Sequence, residues 1–262
     1  MLTVAMYAEK YGMTESTVYS GLYSKRLKGQ RTEAGWLIED VPPPLRRSKA
    51  GSAVIEDLDD YELTLLWLNS TIVDDAIVVR SKDGFVPSYF AEKFDCALWC
   101  RDTGTFVCKI SSIALVNSLR GIGFTGRKDH ALSAPDVGRS EFSAAFVESR
   151  SSFVRQLRYD RRHPMDKTHA YYVPAISMCA SYAIMSAAVD ALCSLGIIPL
   201  RKLSPAANQS SATLRITSAG QLSEILNTLS AYGKNAVFWD AFELHIKQGR
   251  QPYYADSAPK FR

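Results

Sequence analysis

Apolar residues recur at helical spacing in two short stretches at the start of the chain. In TVAMYAEKYG, Val4, Tyr7, Ala8 and Tyr11 fall on one side of a helix that Thr3 can cap and Gly12 can end. In TESTVYSGLY, Thr14 can cap a second helix that buries Val18 and Leu22, with Met13 between the two. The pattern then turns to strands, and GQRTEAGWLI reads as two of them around a turn. VPPPLRRSKAGSA breaks all regularity. Its prolines forbid helix, and Arg46, Arg47 and Lys49 with small polar residues suit a linker.

From Leu58 helical spacing returns. DLDDYELTLLWLNSTIVDD predicts a helix ending in acids, and AIVVR a strand. FDCALWCRDTGTFVCKISS predicts two strands around Asp102, Thr103 and Gly104, then a helix through Leu115, Leu119 and Ile122. The second half runs in the same order. A helix over residues 140–153 leads to a strand pair around a basic loop, a helix over 182–195, strands IPLRKL and ATLRIT, and a helix over 221–232.

Two pairs of segments carry this internal repeat. LNSTIVDDAIVV (from Leu68) matches SAAFVESRSSFV (from Ser143) in its ladder of small, apolar and polar positions, which places Asp75 against Arg150. CKISSI (from Cys108) matches LRITSA (from Leu214). The second copy has more residues between its anchors, so the first reads as a shortened version lacking most of a strand and helix. The divisions are a small unit over 1–40, a Pro-rich basic linker over 41–56, a first repeat over 57–139, a second over 140–248 and a tail over 249–262.

Composition narrows the class. At 262 residues, 47% hydrophobic and 22% charged, the chain fits a globular protein of two units. Its apolar runs are too short for a membrane span, and no basic and apolar leader opens it, so a cytoplasmic protein without membrane partners is expected. Five cysteines are an odd number and lack the spacing of a zinc site, which points to reduced thiols. The net charge of +4 is mild. Its distribution is more telling, because VRQLRYDRRHPMDKTHAYYV interleaves Arg155, Arg158, Arg161, Arg162 and Lys167 with aromatic side chains, a content suited to phosphate contact and groove reading.

The first forty residues resemble the excisionase and MerR-type winged helix-turn-helix, on the elements STVY, Gly21-Leu22 and Gly35-Trp36 with Ile38. The resemblance implies major-groove reading by Ser16, Thr17 and Tyr19, and phosphate contacts from Lys25, Arg26, Lys28 and Arg31. The repeated part resembles a single-chain LAGLIDADG homing endonuclease. Leu68 to Ala76 and Ser143 to Ser151 are degenerate copies of the family motif, within the element order αββαββα twice over. The resemblance implies an α+β fold, a winged helix-turn-helix followed by a pseudo-symmetric two-repeat domain over duplex DNA.

In that family the motif helices cross between the halves, small residues allow the approach, and the last acid of each motif holds divalent metal, usually magnesium, beside the scissile phosphates. Ser70 and Ala145 then mark the close approach. Asp75 is the candidate catalytic and metal-binding acid. Arg150 has no acceptor for a cation and could pair with a phosphate instead. Glu148, at the first acid of its motif, is a weaker catalytic candidate. Three functions fit: a sequence-specific duplex DNA-binding protein with weakened or lost cleavage, a magnesium-dependent nuclease using Asp75, and an RNA-binding maturase or interaction protein. The first is preferred, working as a monomer because the repeat supplies an internal pseudo-dimer.

Overall fold

The computed structural model describes residues 1–11, 15, 18–19, 22, 27–32, 35–41, 49–124, 138–160, 162, 169–199, 203 and 211–253. The chain divides into two compact units, Met1–Ser48 and Lys49–Arg262.

In the small unit, Thr3 caps helix α1 (Val4–Lys10) by accepting from the Met6 amide at 3.3 Å. Strands β1 (Leu2–Thr3), β2 (Gly29–Thr32) and β3 (Gly35–Ile38) form an antiparallel sheet in the order β1-β3-β2. Glu15, Val18, Tyr19 and Leu22 are helical. Val4, Tyr7, Ala8, Val18, Leu22, Leu27 and Ile38 make the core, in keeping with the apolar spacing. Gly29 is required by close approach, since a Cβ there would sit 2.9 Å from the Leu37 carbonyl oxygen.

The large unit begins earlier than the sequence suggests. Residues 49–52 and 55–57 form short 3-10 turns, and Ala53 is buried in the large core, so this end of the expected linker belongs to the folded unit. The first repeat runs α2 (Asp60–Asn69), β4 (Ser70–Val73), β5 (Ala76–Ser81), α3 (Phe85–Lys93), β6 (Leu98–Cys100), β7 (Phe106–Ile110) and α4 (Ile113–Gly121). No element is missing, contrary to the expected loss of a strand and helix. The copy is compact because its strands are short: β4 has 4 residues and β5 has 6. The second repeat runs α5 (Arg139–Arg150), β8 (Ser151–Tyr159), β9 (Ala170–Ser181), α6 (Tyr182–Ser194), β10 (Ser211–Ile216), α7 (Ala219–Leu229), α8 (Ala236–Lys247) and β11 (Gln251–Pro252). Here β8 has 9 residues and β9 has 12. The expected strand IPLRKL falls mostly outside the described residues.

Each repeat forms an antiparallel sheet, β4-β5-β7-β6 in the first and β10-β9-β11 with β8 also on β9 in the second. Helices α2 and α5 pack on one another between them. Residues 61–70 and 142–148 are all buried, and a helix apolar on every side can persist only inside a core. Sheet faces and helices share one core that includes Leu65, Leu66, Ile77, Val79, Phe146, Ile176, Met178 and Leu214.

Helix α2 stops sooner than its apolar spacing predicts. Ser70 donates from Oγ to the Leu66 carbonyl at 2.6 Å, and the β-branched run Thr71, Ile72, Val73 favours an extended chain. Asp74 and Asp75 then form the two-residue turn of the β4–β5 hairpin, with Asp74 at φ 54°. Aspartate tolerates that left-handed conformation because its short polar chain can bond locally. Helix α5 likewise ends at Arg150 rather than Phe153.

Charged side chains join the repeats at the other end of the helix pair. Glu62, at the start of α2, accepts from Lys93 at 2.6 Å, from Tyr89 and from Lys234 at 3.1 Å, and Lys234 also reaches Asp59 at 2.5 Å. Asp60 accepts from the Gly138 amide at 2.6 Å, ahead of α5. The chain before α8 passes so close that a Cβ on Gly233 would lie 1.9 Å from Trp239 Nε1 and 2.2 Å from Glu148 Oε1. Both neighbours are buried and bonded, so Gly233→Ala is expected to cost ~2–3 kcal/mol, read as a lower urea midpoint at unchanged m.

Candidate nucleic-acid interface

The helix-to-strand boundaries set the true register of the repeat. They fall after Asn69 in the first copy and after Arg150 in the second, so Asn69, not Asp75, is the counterpart of Arg150. The second anchor keeps its expected register: β7 and β10 end at Ile110 and Ile216, and Ser112 and Ser218 cap α4 and α7. Asp75 lies exposed in the hairpin turn, beyond the far end of β4 from the close of α2. Ser70 opens β4 instead of lining the helix contact. Thr64 takes the position matched to Ala145, and both are fully buried.

At the crossing, the ends of the two helices hold one another. Asn69 Nδ2 donates to the Leu65 carbonyl at 3.0 Å and to Ser149 Oγ at 3.2 Å. Arg150 Nη2 donates to the Leu68 carbonyl of the other helix. The guanidinium thereby answers the partial negative charge that both helix C-termini bring together. Burial works against its charge, the Cys179 side chain is the group that acts in its favour, and among the described residues no carboxylate pairs with it. Among the described residues, its Nε is buried without a hydrogen-bond partner.

These residues do not fit a divalent cation. Asn69 offers a neutral amide and Arg150 only donors carrying positive charge, where the metal needs carboxylate oxygens. Among the described residues, no three His, Cys, Asp or Glu side chains come together. Glu148 does not reach the crossing either. It accepts from Tyr61, from Trp239 Nε1 at 2.5 Å and from the Asn235 amide at 3.4 Å, which ties α5 to α2 and α8. Burial raises its pKa against the pull of those bonds.

Register assigns each strand residue to a face. Ile77, Val79, Cys108 and Ile110 in the first sheet, and Phe153, Ile176, Met178, Leu214 and Ile216 in the second, turn toward the helices. Alternation puts Thr71, Arg80, Lys109 and Trp99 on the open face of the first. On the second, the open face carries Gln156, Arg158, Tyr171, Ser177, Cys179, Thr213 and Arg215. Strands β4 to β10 contain no aspartate or glutamate, and their charged residues, Arg80, Lys109, Arg155, Arg158 and Arg215, are all cationic. A surface of one sign is an electrostatic footprint for a polyanion.

The expected contact residues separate on this surface. Arg158 is exposed on the open face, where it donates to Thr217 Oγ1 at 2.8 Å. Arg162 is exposed beyond β8. Arg155 has the opposite parity and points toward the helices, where it donates to Gln248 after α8. Arg161 and Lys167 lie outside the described residues, as do Ser16, Thr17, Lys25 and Arg26 of the small unit. There Tyr19, Lys28 and Arg31 are exposed.

Sequence reasoning missed Arg215, whose Nη1 donates to Gln156 Oε1 at 2.8 Å across the open face, and also Arg80, Lys109 and Asn69. Strand alternation in ATLRIT and FVCKI held the signal for Arg215 and Lys109. The β-branched runs flanking Asp74 and Asp75 held the signal for Asn69.

No family model and no curated protein matches the sequence. Among solved structures, the meganuclease I-SmaMI bound to uncleavable DNA is similar over 72% of this chain and 88% of its own, with a TM-score of 0.51 at 11% identity. The I-LtrWI LAGLIDADG homing endonuclease bound to target DNA is similar over 74% and 91%, with a TM-score of 0.50 at 12% identity. With two αββ-containing repeats whose leading helices cross, this chain has the LAGLIDADG-type fold.

Proposed function

We propose that this protein binds duplex DNA in a sequence-dependent manner through the open faces of its two sheets and does not hydrolyse it. The observation that carries this reading is the pairing of acid-free, cationic strands with a helix crossing at which Asn69 and Arg150 stand in place of two carboxylates. The similar structures named above were solved with DNA bound, which agrees with the polyanion partner. Binding requires no magnesium, because no residue at the crossing can hold it. The first unit acts as a second reading head of winged helix-turn-helix type. Ser16, Thr17 and Tyr19 meet base edges, and Lys25, Arg26, Lys28 and Arg31 meet phosphates, with Arg161, Arg162 and Lys167 extending the contact of the second repeat. Tethering two heads in one cytoplasmic monomer raises the effective concentration of the second once the first has bound.

The test is selection of duplexes from a random pool, followed by titration of the recovered site. Affinity is expected to fall steeply with salt and to be the same in EDTA as in magnesium. Supercoiled plasmid carrying the site is expected to stay supercoiled with magnesium present. Equal affinity at low and high salt would refute the binding reading, and metal-dependent nicking abolished by Asp75→Asn would refute the loss of cleavage.

A further inference from the structure

Helix α8 turns one side to the core and leaves an apolar stripe on the other. Phe238, Trp239 and Phe242 pack inward, and the Phe238 and Phe242 rings lie 5.2 and 5.7 Å from that of Phe153, on the helix-facing side of β8. At 100° per residue, Val237, Ala241 and Leu244 fall on the opposite side. All three are exposed, Val237 at 80% and Leu244 at 62%. Their spacing of four and then three residues is that of a seam between two helices, and the small Ala241 within it allows a close approach. One flank of the seam is charged. Asp240 stands in the first half of the helix and Lys247 at its end, where Lys247 also reaches Glu243 at 2.8 Å, and all three are exposed.

An acid early and a base late on one flank make this stripe complementary to itself. In an antiparallel pair of α8 helices, Ala241 of each copy packs beside Leu244 of the other, and Asp240 of each meets Lys247 of the other on both sides of a twofold axis. A parallel pair would instead set each charge beside its own like. We propose that α8 is a self-association surface, through which two copies of this chain pair antiparallel about a twofold axis. Each copy keeps its internal pair of repeats and reads a duplex as a single chain, and the pairing does not depend on that reading. Because α8 packs on the helix side of the second sheet, the open face of that sheet stays free in the pair. A contact made by one 12-residue helix from each copy is small against the ~1,000 Å² of a durable interface, so the pairing is reversible and depends on concentration.

The test is sedimentation equilibrium of the full chain without DNA, from about one to several hundred micromolar. The average mass is expected to climb from that of one chain toward that of two. Val237→Gln with Leu244→Gln should weaken the association at least about tenfold at an unchanged urea midpoint, because both side chains are exposed in the single chain and glutamine suits a helix. Asp240→Lys and Lys247→Asp should each weaken it about fivefold, since each sets two like-charged pairs across the axis, and the two substitutions together in one chain should restore it to within about twofold. Duplex affinity of the glutamine variant, titrated at nanomolar protein, should match that of the wild type, so a failure of pairing and a failure of duplex binding are seen separately. The mass of one chain at every concentration would overturn the proposal, and so would an association that survives the glutamine substitutions. A double charge exchange that associates as weakly as the single ones would overturn the antiparallel arrangement.

Discussion

Replacing Arg158 and Arg215 together by alanine is expected to weaken duplex binding by two to three orders of magnitude without loss of fold. Both are exposed on the open face of the second sheet, where Arg158 donates to Thr217 and Arg215 to Gln156. A backbone or base contact by arginine contributes ~1–3 kcal/mol, so removing two takes away ~3–4 kcal/mol, and each ~1.4 kcal/mol is a factor of ten. The salt slope should also shallow by about 0.9 for each phosphate no longer neutralised. The control is Arg155→Ala, three residues before Arg158 on the same strand and facing the helices. It is expected to leave affinity within about threefold of wild type while lowering stability, because the bond to Gln248 is gone. Anisotropy titrations at several salt concentrations measure the affinities, and urea midpoints the stability. An equal drop in affinity from Arg155→Ala would show that total charge, and not the face, governs binding.

The second large effect is on stability. Glu148→Ala is expected to lower the free energy of unfolding by ~3–5 kcal/mol, since it leaves Tyr61, Trp239 and the Asn235 amide without their acceptor at the junction of three helices. Glu148→Gln keeps an acceptor oxygen and should cost clearly less. The pH dependence separates the two buried carboxylates. Burial raises Glu148 above the unfolded value, so its charged form penalises the fold at neutral pH, and the penalty fades as pH falls toward the unfolded pKa near ~4.3.

Glu62 behaves oppositely. Burial would raise it, but bonds from Lys93, Tyr89, the Asp59 backbone and Lys234 outweigh that and hold it at about 2. Its contribution is present above the unfolded pKa and is lost as pH falls from ~4.3 toward 2. Wild type should therefore gain on Glu148→Gln as pH drops from 7 toward 5, and Glu62→Gln should flatten the acid limb below pH 4. Urea midpoints at several pH values decide. A gap between wild type and Glu148→Gln that stays constant with pH would mean that Glu148 is as fully ionised in the folded chain as in the unfolded one, which would refute the raised pKa.

Much of the architecture was legible in the residues because it depends on local chemistry. Thr3 caps α1 as its position before the apolar spacing implies, and the Asp102-Thr103-Gly104 turn joins β6 to β7 with Gly104 at φ 72°. The twofold order of elements was legible for the same reason. The register between the repeats was not. LNSTIVDD keeps helical spacing of its apolar residues through the point where the chain turns extended, so spacing alone extends the helix and aligns Asp75 with Arg150.

By itself the sequence determined the small unit's apolar face, the leading helices and hairpins of both repeats and the basic content of β8, but not α3 or α8, since caps, β-branched runs and charge act within a few residues. Only the tertiary structure decided what meets the end of α2, where a helix from the other repeat packs against it and Asn69 donates to Ser149. That decision moves Asp75 to a hairpin tip, sets the amide of Asn69 instead of the Asp75 carboxylate against Arg150, and turns Arg155 inward while Arg158 and Arg215 share an open face. The physical reason is that register and facing are set by pairing between segments far apart in the chain, and a one-residue change in where a strand begins reverses every side chain on it.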